Sequence, residues 1–207
     1  MSRRSDHTRE ELAELIVVEG HALLSEVGFA KFSAREVAKR IGYSVGTLYN
    51  VFGNYDGLML AINGRTLDLW RAALVAELDK VGQQASGEGA SFSRLEQAIA
   101  VYFDFAASHR HAWAALYDFR LPEDVALPAF YADKLAGVID ILINEVTAAL
   151  PDTRKAEGTR LARSVFATVH GHCFFALNGT FDLLGEADPL DAAIARTREA
   201  IAGVSDG

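Results

Sequence analysis

Two groups of residues in this sequence have side chains that could do chemistry, and the first is His170, His172 and Cys173. Imidazoles and thiolates are the usual ligands of zinc, and a thiol near a histidine can act as a nucleophile. On a helix, residues two apart project about 200° from each other, so the two histidines do not face one ion. His170 and Cys173 supply two ligands, whereas a closed zinc site needs four. A core histidine and a buried thiol are the simpler interpretation.

The second group is a short run that combines a small residue with hydroxyl and amide side chains: Gly46, Thr47, Tyr49 and Asn50. Hydroxyls and amides can hydrogen-bond to the edges of DNA bases. The patterns of serine hydrolases, glycine-rich phosphate loops and zinc proteases do not occur in the sequence. We therefore expect no catalytic residue, no metal and no cofactor.

Residues 32–58 must position this second group, and their local signals predict two short helices with a tight bend between them. Ser33 is typical of a helix N-cap, and Glu36 follows three residues later, as in a capping box. Gly42 comes where a helix of about two turns needs a left-handed stop. The first helix of the pair is therefore expected to end at Ile41.

Ser44 is a second N-cap, and the helix that it begins should run to Phe52. A helix so short is unstable alone, and Leu48 and Phe52, four residues apart, can anchor it on the first helix. The small and hydrogen-bonding residues of the second group then face outward or flank this edge. Such a helix suits insertion into the major groove of DNA.

The same stretch resembles the N-terminal helix-turn-helix of the tetracycline-repressor (TetR) family. The matching positions are Ser33, Val37, Ala38, Gly42, Tyr43, Ser44, Gly46, Thr47, Leu48, Tyr49, Phe52 and Leu58. Their number and fixed spacing make the resemblance specific. Two positions depart from the pattern: Val51 stands where the family usually has His, and Tyr55 where it usually has a Lys that contacts phosphate.

The resemblance implies a division of roles within the motif. Thr47 and Asn50 are expected to read base edges. Phosphates are expected to be contacted by Ser33, Arg35, Lys39 and Tyr49, with Tyr55 in place of the usual Lys. The other members of the predicted DNA-binding set are Ser44, Val45 and Gly46.

The charges of the chain are divided unevenly. Residues 1–65 carry eight Lys or Arg and eight Asp or Glu, so the net charge of −8 belongs to the remainder. Residues 31–52 carry four cations against Glu36 alone, which is a local +3. Charges are screened over about 8 Å at physiological salt, so the distant acidity does not prevent DNA binding. Three more cations form either a flexible arm that reaches DNA or a solvated tail: Arg3, Arg4 and Arg9.

The composition is that of a globular protein with 207 residues, half of them apolar. No apolar run is long enough to span a membrane, and the charged start MSRRSDHTREE is unlike a signal peptide. A single Cys rules out an internal disulfide framework. We expect a cytoplasmic protein with no membrane partner.

Helical periodicity recurs along the chain without β-alternation. We predict an all-α fold of about nine helices, with a DNA-binding domain at residues 1–54 and a ligand-binding and dimerisation domain at residues 55–207. A first helix should end before Gly28, a long helix should cover residues 55–81, and a polar loop should follow at 82–91. The later helices are predicted at about 92–108, 111–119, 127–150, 153–178 and 190–204.

Aromatic residues are concentrated between positions 92 and 181. For each of them alone, a place in a solid core is the simpler interpretation. Together they can also line an apolar effector pocket with one buried polar group, His170. The predicted ligand-binding set is Phe103, Trp113, Tyr117, Phe130, Phe166, His170 and Phe174.

Residues 165–177, VFATVHGHCFFAL, are apolar almost all round a helix, so such a helix must be covered on two sides. We expect a second copy of the chain on one side, with the alanines at positions 192, 193, 195 and 200 allowing close approach. A homodimer also provides two reading helices for half-sites about 34–36 Å apart. The pair His170-Gly171 is similar to the signature of a TetR C-terminal class named for Trp-His-Gly, with Val169 in place of Trp.

These patterns predict a dimeric transcription regulator, more often a repressor in this family, that binds a palindromic DNA operator and responds to a small apolar or aromatic effector. One alternative is a small-molecule carrier or enzyme whose helix-turn-helix is only structural. The other is a DNA-binding regulator that senses no ligand.

Overall fold

The computed structural model describes residues 7–84 and 90–202. Within these ranges the chain forms ten α-helices and two 3-10 turns with no strand, which confirms the predicted all-α class. The helices are α1 (Arg9–Val27), α2 (Ala34–Ile41), α3 (Val45–Phe52), α4 (Tyr55–Gln84), α5 (Ala90–Ser108), α6 (Arg110–Asp118), α7 (Ala129–Ala149), α8 (Gly158–Leu177), α9 (Thr180–Leu184) and α10 (Pro189–Ala202). The 3-10 turns are Phe29–Lys31 and Asp152–Glu157.

The predicted helices agree with the observed ones except in two places. The sequence pattern missed α9, whose five residues are too few to show an apolar period. The helix predicted at 153–178 begins as a 3-10 turn and becomes α-helical only at Gly158. The predicted loop at 82–91 is too long at both ends, because α4 continues to Gln84 and α5 begins at Ala90. Residues 85–89 of that loop, and Arg3 and Arg4 of the predicted arm, lie outside the described residues.

The chain divides into two compact units, and the first contains the residues up to Leu69 together with His109–Leu135. In this unit α1 packs against α2, α3 and α6. Its fully buried apolar side chains include Ile16, Leu24, Val37, Leu48, Leu58 and Ile62. The two short helices of the motif are therefore held by a shared core rather than by their own length.

Helix α1 packs against the other helices of the first unit and is stabilised at its start and at its middle. Thr8 caps it, with Thr8 Oγ1 accepting from the Glu11 amide and the Glu11 carboxylate accepting from the Thr8 amide. At its middle, a Cβ added to Gly20 would lie 2.6 Å from Cδ1 of Ile62 on α4. A side chain at position 20 would therefore require Ile62 to shift, and glycine leaves it room in this core.

The second unit contains Trp70–Ser108 and the chain from Ala136 onward. Here α8 packs against α10 and α5, and α10 also packs against α5. Arg94 on α5 donates to the carboxylate of the buried Glu145 on α7, at 2.7 and 3.0 Å, and to the Leu78 carbonyl on α4, at 2.7 Å. The Arg94 guanidinium thus joins three helices, α7 by an ion pair and α4 by a hydrogen bond.

Helix α4 is continuous for 30 residues and contributes its first half to one unit and its second half to the other. The predicted boundary between residues 54 and 55 separates a DNA-binding domain from a ligand-binding domain. It differs from this division into packing units and stays a prediction. None of the described helices is long and apolar enough to cross a membrane.

Candidate nucleic-acid interface and aromatic cavity

Helices α2 and α3 are joined by a three-residue turn that ends α2 in a left-handed conformation. Gly42 has φ 75° and ψ 26°, as the sequence predicted. Its amide donates to the Lys39 carbonyl at 3.2 Å, and the Tyr43 amide donates to the Ala38 carbonyl at 2.9 Å. These two bonds form a Schellman motif, which satisfies carbonyls that the last turn of α2 would otherwise leave unpaired.

Ser44 begins α3 as predicted. Its Oγ accepts a hydrogen bond from the Thr47 amide at 3.1 Å and lies 2.9 Å from Thr47 Oγ1. The cap therefore fixes the start of α3 and also the side chain of one predicted base reader.

Ser33 occupies the N-cap of α2, but the predicted capping box is wrong. The Ser33 side chain makes no capping hydrogen bond, and only its carbonyl accepts, from the amides of Glu36 and Val37. The Glu36 carboxylate faces Lys39, with 3.5 Å between Oε2 and Nζ. An ion pair one turn along the helix thus takes the carboxylate that the capping box would have used.

The accessible side of α3 is narrow. Leu48 is completely buried and attaches the helix to the core of the first unit. Gly46 and Asn50, four residues apart, are exposed, whereas Val45, Thr47 and Tyr49 are half-buried. An exposed edge with an amide at one end and no side chain at the other matches the predicted groove face in shape.

The cations beside α3 differ in how firmly they are held. The Arg40 guanidinium donates to both carboxylate oxygens of Glu26 on α1, at 2.8 and 2.6 Å. This pairing raises the pKa of Arg40 and lowers the pKa of the Glu26 carboxyl. Lys39, by contrast, keeps 77% of its side chain exposed. The sequence count missed Glu26 because it lies 14 residues from Arg40 and on another helix; including it reduces the local excess of cations from three to two.

Tyr55 stands at the first position of α4. Its ring lies 6.4 Å from the ring of Phe32, and burial, with smaller contributions from Tyr49 and Asp56, raises the pKa of its hydroxyl. The hydroxyl therefore stays protonated and uncharged at neutral pH. A contact from Tyr55 to phosphate would be a neutral hydrogen bond, which is weaker than the charged contact of a Lys.

One residue near the amino end, His7, contacts the motif. His7 Nδ1 lies 3.3 Å from the hydroxyl of Tyr43 in the turn. Arg9 is exposed at the start of α1. The contact from His7 was not foreseen, because 36 residues separate it from Tyr43.

A small cavity lies inside the second unit between α4, α5, α7 and α8. Its volume is about 20 Å³, which is room for about one water molecule. The lining is apolar and includes Trp70, Leu95, Tyr102, Val146, Phe166 and Val169. The sequence left open whether the aromatic residues enclose a cavity or form a solid core. The interior contains a cavity, but a small one, so it is close to a solid core.

Three members of the predicted ligand-binding set form a row on α8. The ring of His170 is stacked between those of Phe166 and Phe174, at centroid distances of 6.1 and 6.2 Å. His170 Nδ1 shares a hydrogen bond of 2.8 Å with the Tyr102 hydroxyl, and burial lowers the pKa of His170. His170 is thus the polar group in an aromatic cluster, although Phe166 alone of the predicted set lines the cavity.

The other predicted ligand-binding residues lie elsewhere. Phe103 is half-buried on α5 and is not part of the cavity lining. Trp113 and Tyr117 stack edge to face in the first unit, at 5.2 Å, and Phe130 of the same unit is exposed. The sequence did not single out Trp70, the aromatic residue that stacks on Phe166 from α4. Trp70 belongs to the apolar helical pattern of residues 55–81, and this pattern was the signal that could have indicated a buried aromatic residue on α4.

The cluster His170, His172 and Cys173 is divided among different partners. His172 Nδ1 donates to the Thr168 carbonyl at 2.8 Å, whereas His170 contacts Tyr102. Cys173 is buried, and burial raises its pKa to about 12. A thiol held neutral in this way is a poor nucleophile and a poor metal ligand.

A short capped helix with an exposed edge, seated on a second helix and joined to a further helical unit, defines a helix-turn-helix DNA-binding regulator. Residues 16–62 match the family described as bacterial regulatory proteins, tetR family, and residues 95–200 match the family described as tetracyclin repressor-like, C-terminal domain. The chain belongs to the TetR family of transcriptional regulators. Members of this family bind DNA and dimerise, and they are not enzymes. The resemblance to the Trp-His-Gly class is finer than these matches and stays a prediction.

Solved structures share the fold along almost the whole chain. A Rhodococcus sp. RHA1 protein of unknown function has a TM-score of 0.69 and 20% identity, with 99% of this chain and 100% of that chain covered. A transcriptional regulator from the same organism has a TM-score of 0.63 and 21% identity, covering 94% and 98%. The multidrug binding protein EbrR, solved with imidazole, has a TM-score of 0.62 and 18% identity, covering 97% of each chain. No curated protein sequence matches the chain.

Proposed function

We propose that this TetR-family regulator is a cytoplasmic homodimeric repressor that leaves a palindromic operator when a small apolar or aromatic effector binds. The observation that carries the DNA-binding part is the exposed edge of α3, with Asn50 free of burial and Thr47 held by the Ser44 cap. Direct base contacts require side chains in fixed positions on an accessible helix, and this edge meets both conditions.

Within the groove we assign base reading to Thr47 and Asn50, with Val45 and Gly46 against the bases or sugars. Arg35 and Lys39 are exposed on α2, where they can neutralise phosphates. Ser33 also supports this assignment. Its hydroxyl makes no capping bond to α2, so the hydroxyl is available to bind phosphate. Tyr49 and Tyr55 add neutral hydrogen bonds to phosphate, and Ser44 keeps its role as the cap.

We place the dimer interface on α8 and α10. Apolar rings remain exposed on α8, where Phe174 keeps 47% of its surface and Phe175 is also accessible. Exposed apolar groups of this size are typical of surfaces that a partner covers. Three of the predicted alanines of α10, at positions 192, 195 and 200, are half-buried and would allow close approach of a second helix, whereas Ala193 is completely buried within its own chain and cannot contribute.

The effector would act through α4, because two residues separate the start of this helix from the end of α3 and it carries Trp70, which lines the cavity, at its middle. An effector shifts DNA binding only if it prefers the form that does not fit the operator. Aromatic lining around the cavity supports an apolar effector, and EbrR, a multidrug binding protein solved with imidazole, provides a precedent of the same fold.

A second candidate is a DNA-binding regulator that senses no ligand. The observation that favours it is the cavity volume of about 20 Å³, well below the 300–1,000 Å³ or so of pockets for drug-sized ligands.

Selection of bound fragments from a genomic library, followed by competition with random duplex, tests the DNA-binding function. Recovery of one shared sequence is expected; equal retention of all fragments would overturn it.

A further inference from the structure

The buried indole of Trp70 has a donor without an acceptor. Trp70 is 3% exposed, and among the described residues its Nε1–H has no hydrogen-bond partner. Most buried N–H groups in folded proteins are paired, so an orphan of this kind requires a physical reason. Trp70 also lines the cavity of the second unit, which offers the place for a missing acceptor.

Water is a poor candidate for that acceptor. The cavity has room for about one water, but a buried water needs two to four polar partners. The lining contains Tyr102 as its other polar side chain, and the hydroxyl of Tyr102 is already in a hydrogen bond of 2.8 Å with His170 Nδ1. An organic molecule needs only one acceptor atom for Trp70 and satisfies the rest of the lining with apolar surface.

The surroundings also restrict charge and shape. The lining of the cavity contains no Asp, Glu, Lys or Arg, so a charged molecule would enter without a counter-ion. Among the described residues that line the cavity, the rings of Trp70 and Phe166 are nearly parallel, with centroids 6.3 Å and planes 26° apart, and the Tyr102 ring stands edge-on to Phe166 at 69°. Two nearly parallel walls accept a flat ring more readily than a globular group.

We propose that the cavity is an effector subsite for a flat, uncharged molecule whose carbonyl or ether oxygen accepts a hydrogen bond from Trp70 Nε1–H. This inference rests on the ligand-responsive function proposed above and adds the chemical class of the effector. Binding must displace side chains, because about 20 Å³ is less than a single ring occupies. Of the lining residues, Phe166 is the one that we expect to move outward, because the rings that follow it on α8, His170 and the exposed Phe174, lie outside the lining.

Three probes of one shape test the proposal on the whole chain of 207 residues. Acetophenone carries a carbonyl acceptor, α-methylstyrene replaces that oxygen with a CH₂ group, and benzoate adds a negative charge. The chain has two tryptophans, so the indole N–H region of an NMR spectrum contains two resonances, and Trp113→Phe assigns them. We expect acetophenone to shift the Trp70 resonance downfield and to bind about 2- to 10-fold more tightly than α-methylstyrene, with benzoate weakest.

Two variants make the test specific. Trp70→Phe removes the donor but keeps a ring, so the ratio of the two neutral affinities should fall to about 1. Ala162→Leu fills the cavity and keeps Trp70, so binding of both neutral probes should be lost. Circular dichroism and thermal unfolding show whether each variant is folded.

Several results would overturn the subsite: no shift of the Trp70 resonance up to the solubility limit of acetophenone, equal binding of benzoate, or an unchanged ratio in folded Trp70→Phe. DNA binding is measured in parallel on fragments from the genomic selection. Loss of DNA binding would contradict the proposed function whatever the probes do. Probes that bind in a Trp70-dependent way without changing DNA affinity would support the subsite and contradict the ligand response.

Discussion

At the scale of single residues, the candidate interface is set by which polar groups are already engaged within the protein. Arg40 is fixed by Glu26, whereas Lys39 remains largely exposed beside a single carboxylate at 3.5 Å. A cation held by two short hydrogen bonds must give them up to reach DNA, and Lys39 loses little. Lys39 is therefore the better phosphate ligand, and Asn50 on the exposed edge of α3 is the better base reader.

Replacing Asn50 and Lys39 with Ala should have different effects on DNA binding. Asn50→Ala removes a base contact, so we expect a loss of about 1–3 kcal/mol on the preferred operator and a relaxed preference at one base position. Lys39→Ala removes a phosphate contact, so all sequences should weaken and the salt slope should decrease by about 1. Affinities measured over a salt series on the operator and on single-base variants separate the two patterns.

Lys80→Ala is the matched control for Lys39, because Lys80 forms the same kind of ion pair, with Glu77 one turn earlier, in the second unit. It should leave both affinity and salt slope unchanged. If Asn50→Ala and Lys39→Ala behaved alike, the assigned division between base and phosphate contacts would be wrong.

His21 makes the first unit sensitive to acid. It is 8% exposed, its Nε2 has no partner among the described residues, and burial, reinforced by Arg65 and His109, lowers its pKa to about 4. In the unfolded chain the His21 imidazole is protonated near pH 6.5, whereas in the folded protein it is protonated only near pH 4. The contribution of His21 to stability is therefore complete above pH 6.5 and falls by about 3 kcal/mol as the pH decreases to 4.

Urea unfolding at pH 7 and pH 4 measures this effect. His21→Phe cannot take up the proton, so its loss of stability between the two pH values should be smaller than that of the wild type. Ile16→Val, in the same core, should cost about 1 kcal/mol at both pH values and leave the difference unchanged. An identical pH dependence in His21→Phe would show that His21 is not the sensitive group.

At the scale of helices, the motif depends on end caps that are local in sequence. Gly42 ends α2 in the left-handed region, and Ser44 caps α3 through the Thr47 amide. Because α3 has eight residues, its formation requires both the cap and the burial of Leu48. The geometry of the reading edge therefore rests on a small number of residues.

Ser44 and Ser33 provide a matched pair, since each occupies an N-cap but only Ser44 makes a side-chain bond to its helix. Ser44→Ala should lower the free energy of unfolding by about 0.5–2 kcal/mol and weaken DNA binding through a looser α3. Ser33→Ala should change stability by less and weaken DNA binding only through a lost phosphate contact. Urea unfolding and DNA affinity are measured on both variants, and equal losses of stability would contradict the observed difference between the caps.

The sequence predicted features that depend on neighbouring residues and missed contacts between residues that are distant in the chain. Helix ends at Gly28, Gly42 and Ser44 depend on neighbouring residues, so the sequence alone locates them. The pair Arg40–Glu26 and the stack of Trp70 on Phe166 join residues on different helices, and no spacing rule connects them. The Glu36 carboxylate, which a capping box would place on the Ser33 amide, faces Lys39 instead, and the sequence offers both partners at a spacing of three residues.

At the scale of the whole molecule, the proposal requires two copies of the chain. One reading helix covers one half-site, and a two-fold axis supplies the second. The exposed rings of α8 give a surface that a partner would cover, and members of the TetR family dimerise. Dimerisation and DNA reading are then separate properties that different substitutions can remove.

Phe175→Glu places a charge on the exposed surface of α8 and should convert the dimer to a monomer. Light scattering after gel filtration at micromolar concentration should give twice the 22.4 kDa of one chain for the wild type and a single chain mass for the variant. Val125→Glu is the control, because Val125 is 46% exposed, against 40% for Phe175, but lies in the first unit, so this variant should remain dimeric. A monomeric wild type would contradict the dimer, and a dimeric Phe175→Glu would contradict this interface.

The most direct test of the central claim is the DNA sequence that the protein selects for itself. Genomic fragments bound by the wild-type protein at low salt, without added small molecules, are sequenced beside those bound by Asn50→Ala. We expect the wild type to enrich an inverted repeat whose half-site centres lie about 34–36 Å apart, or a multiple of this distance, and Asn50→Ala to alter or lose that preference. Fragments indistinguishable from the random competitor, or the same enrichment in both proteins, would contradict the assignment of α3 as the reading helix.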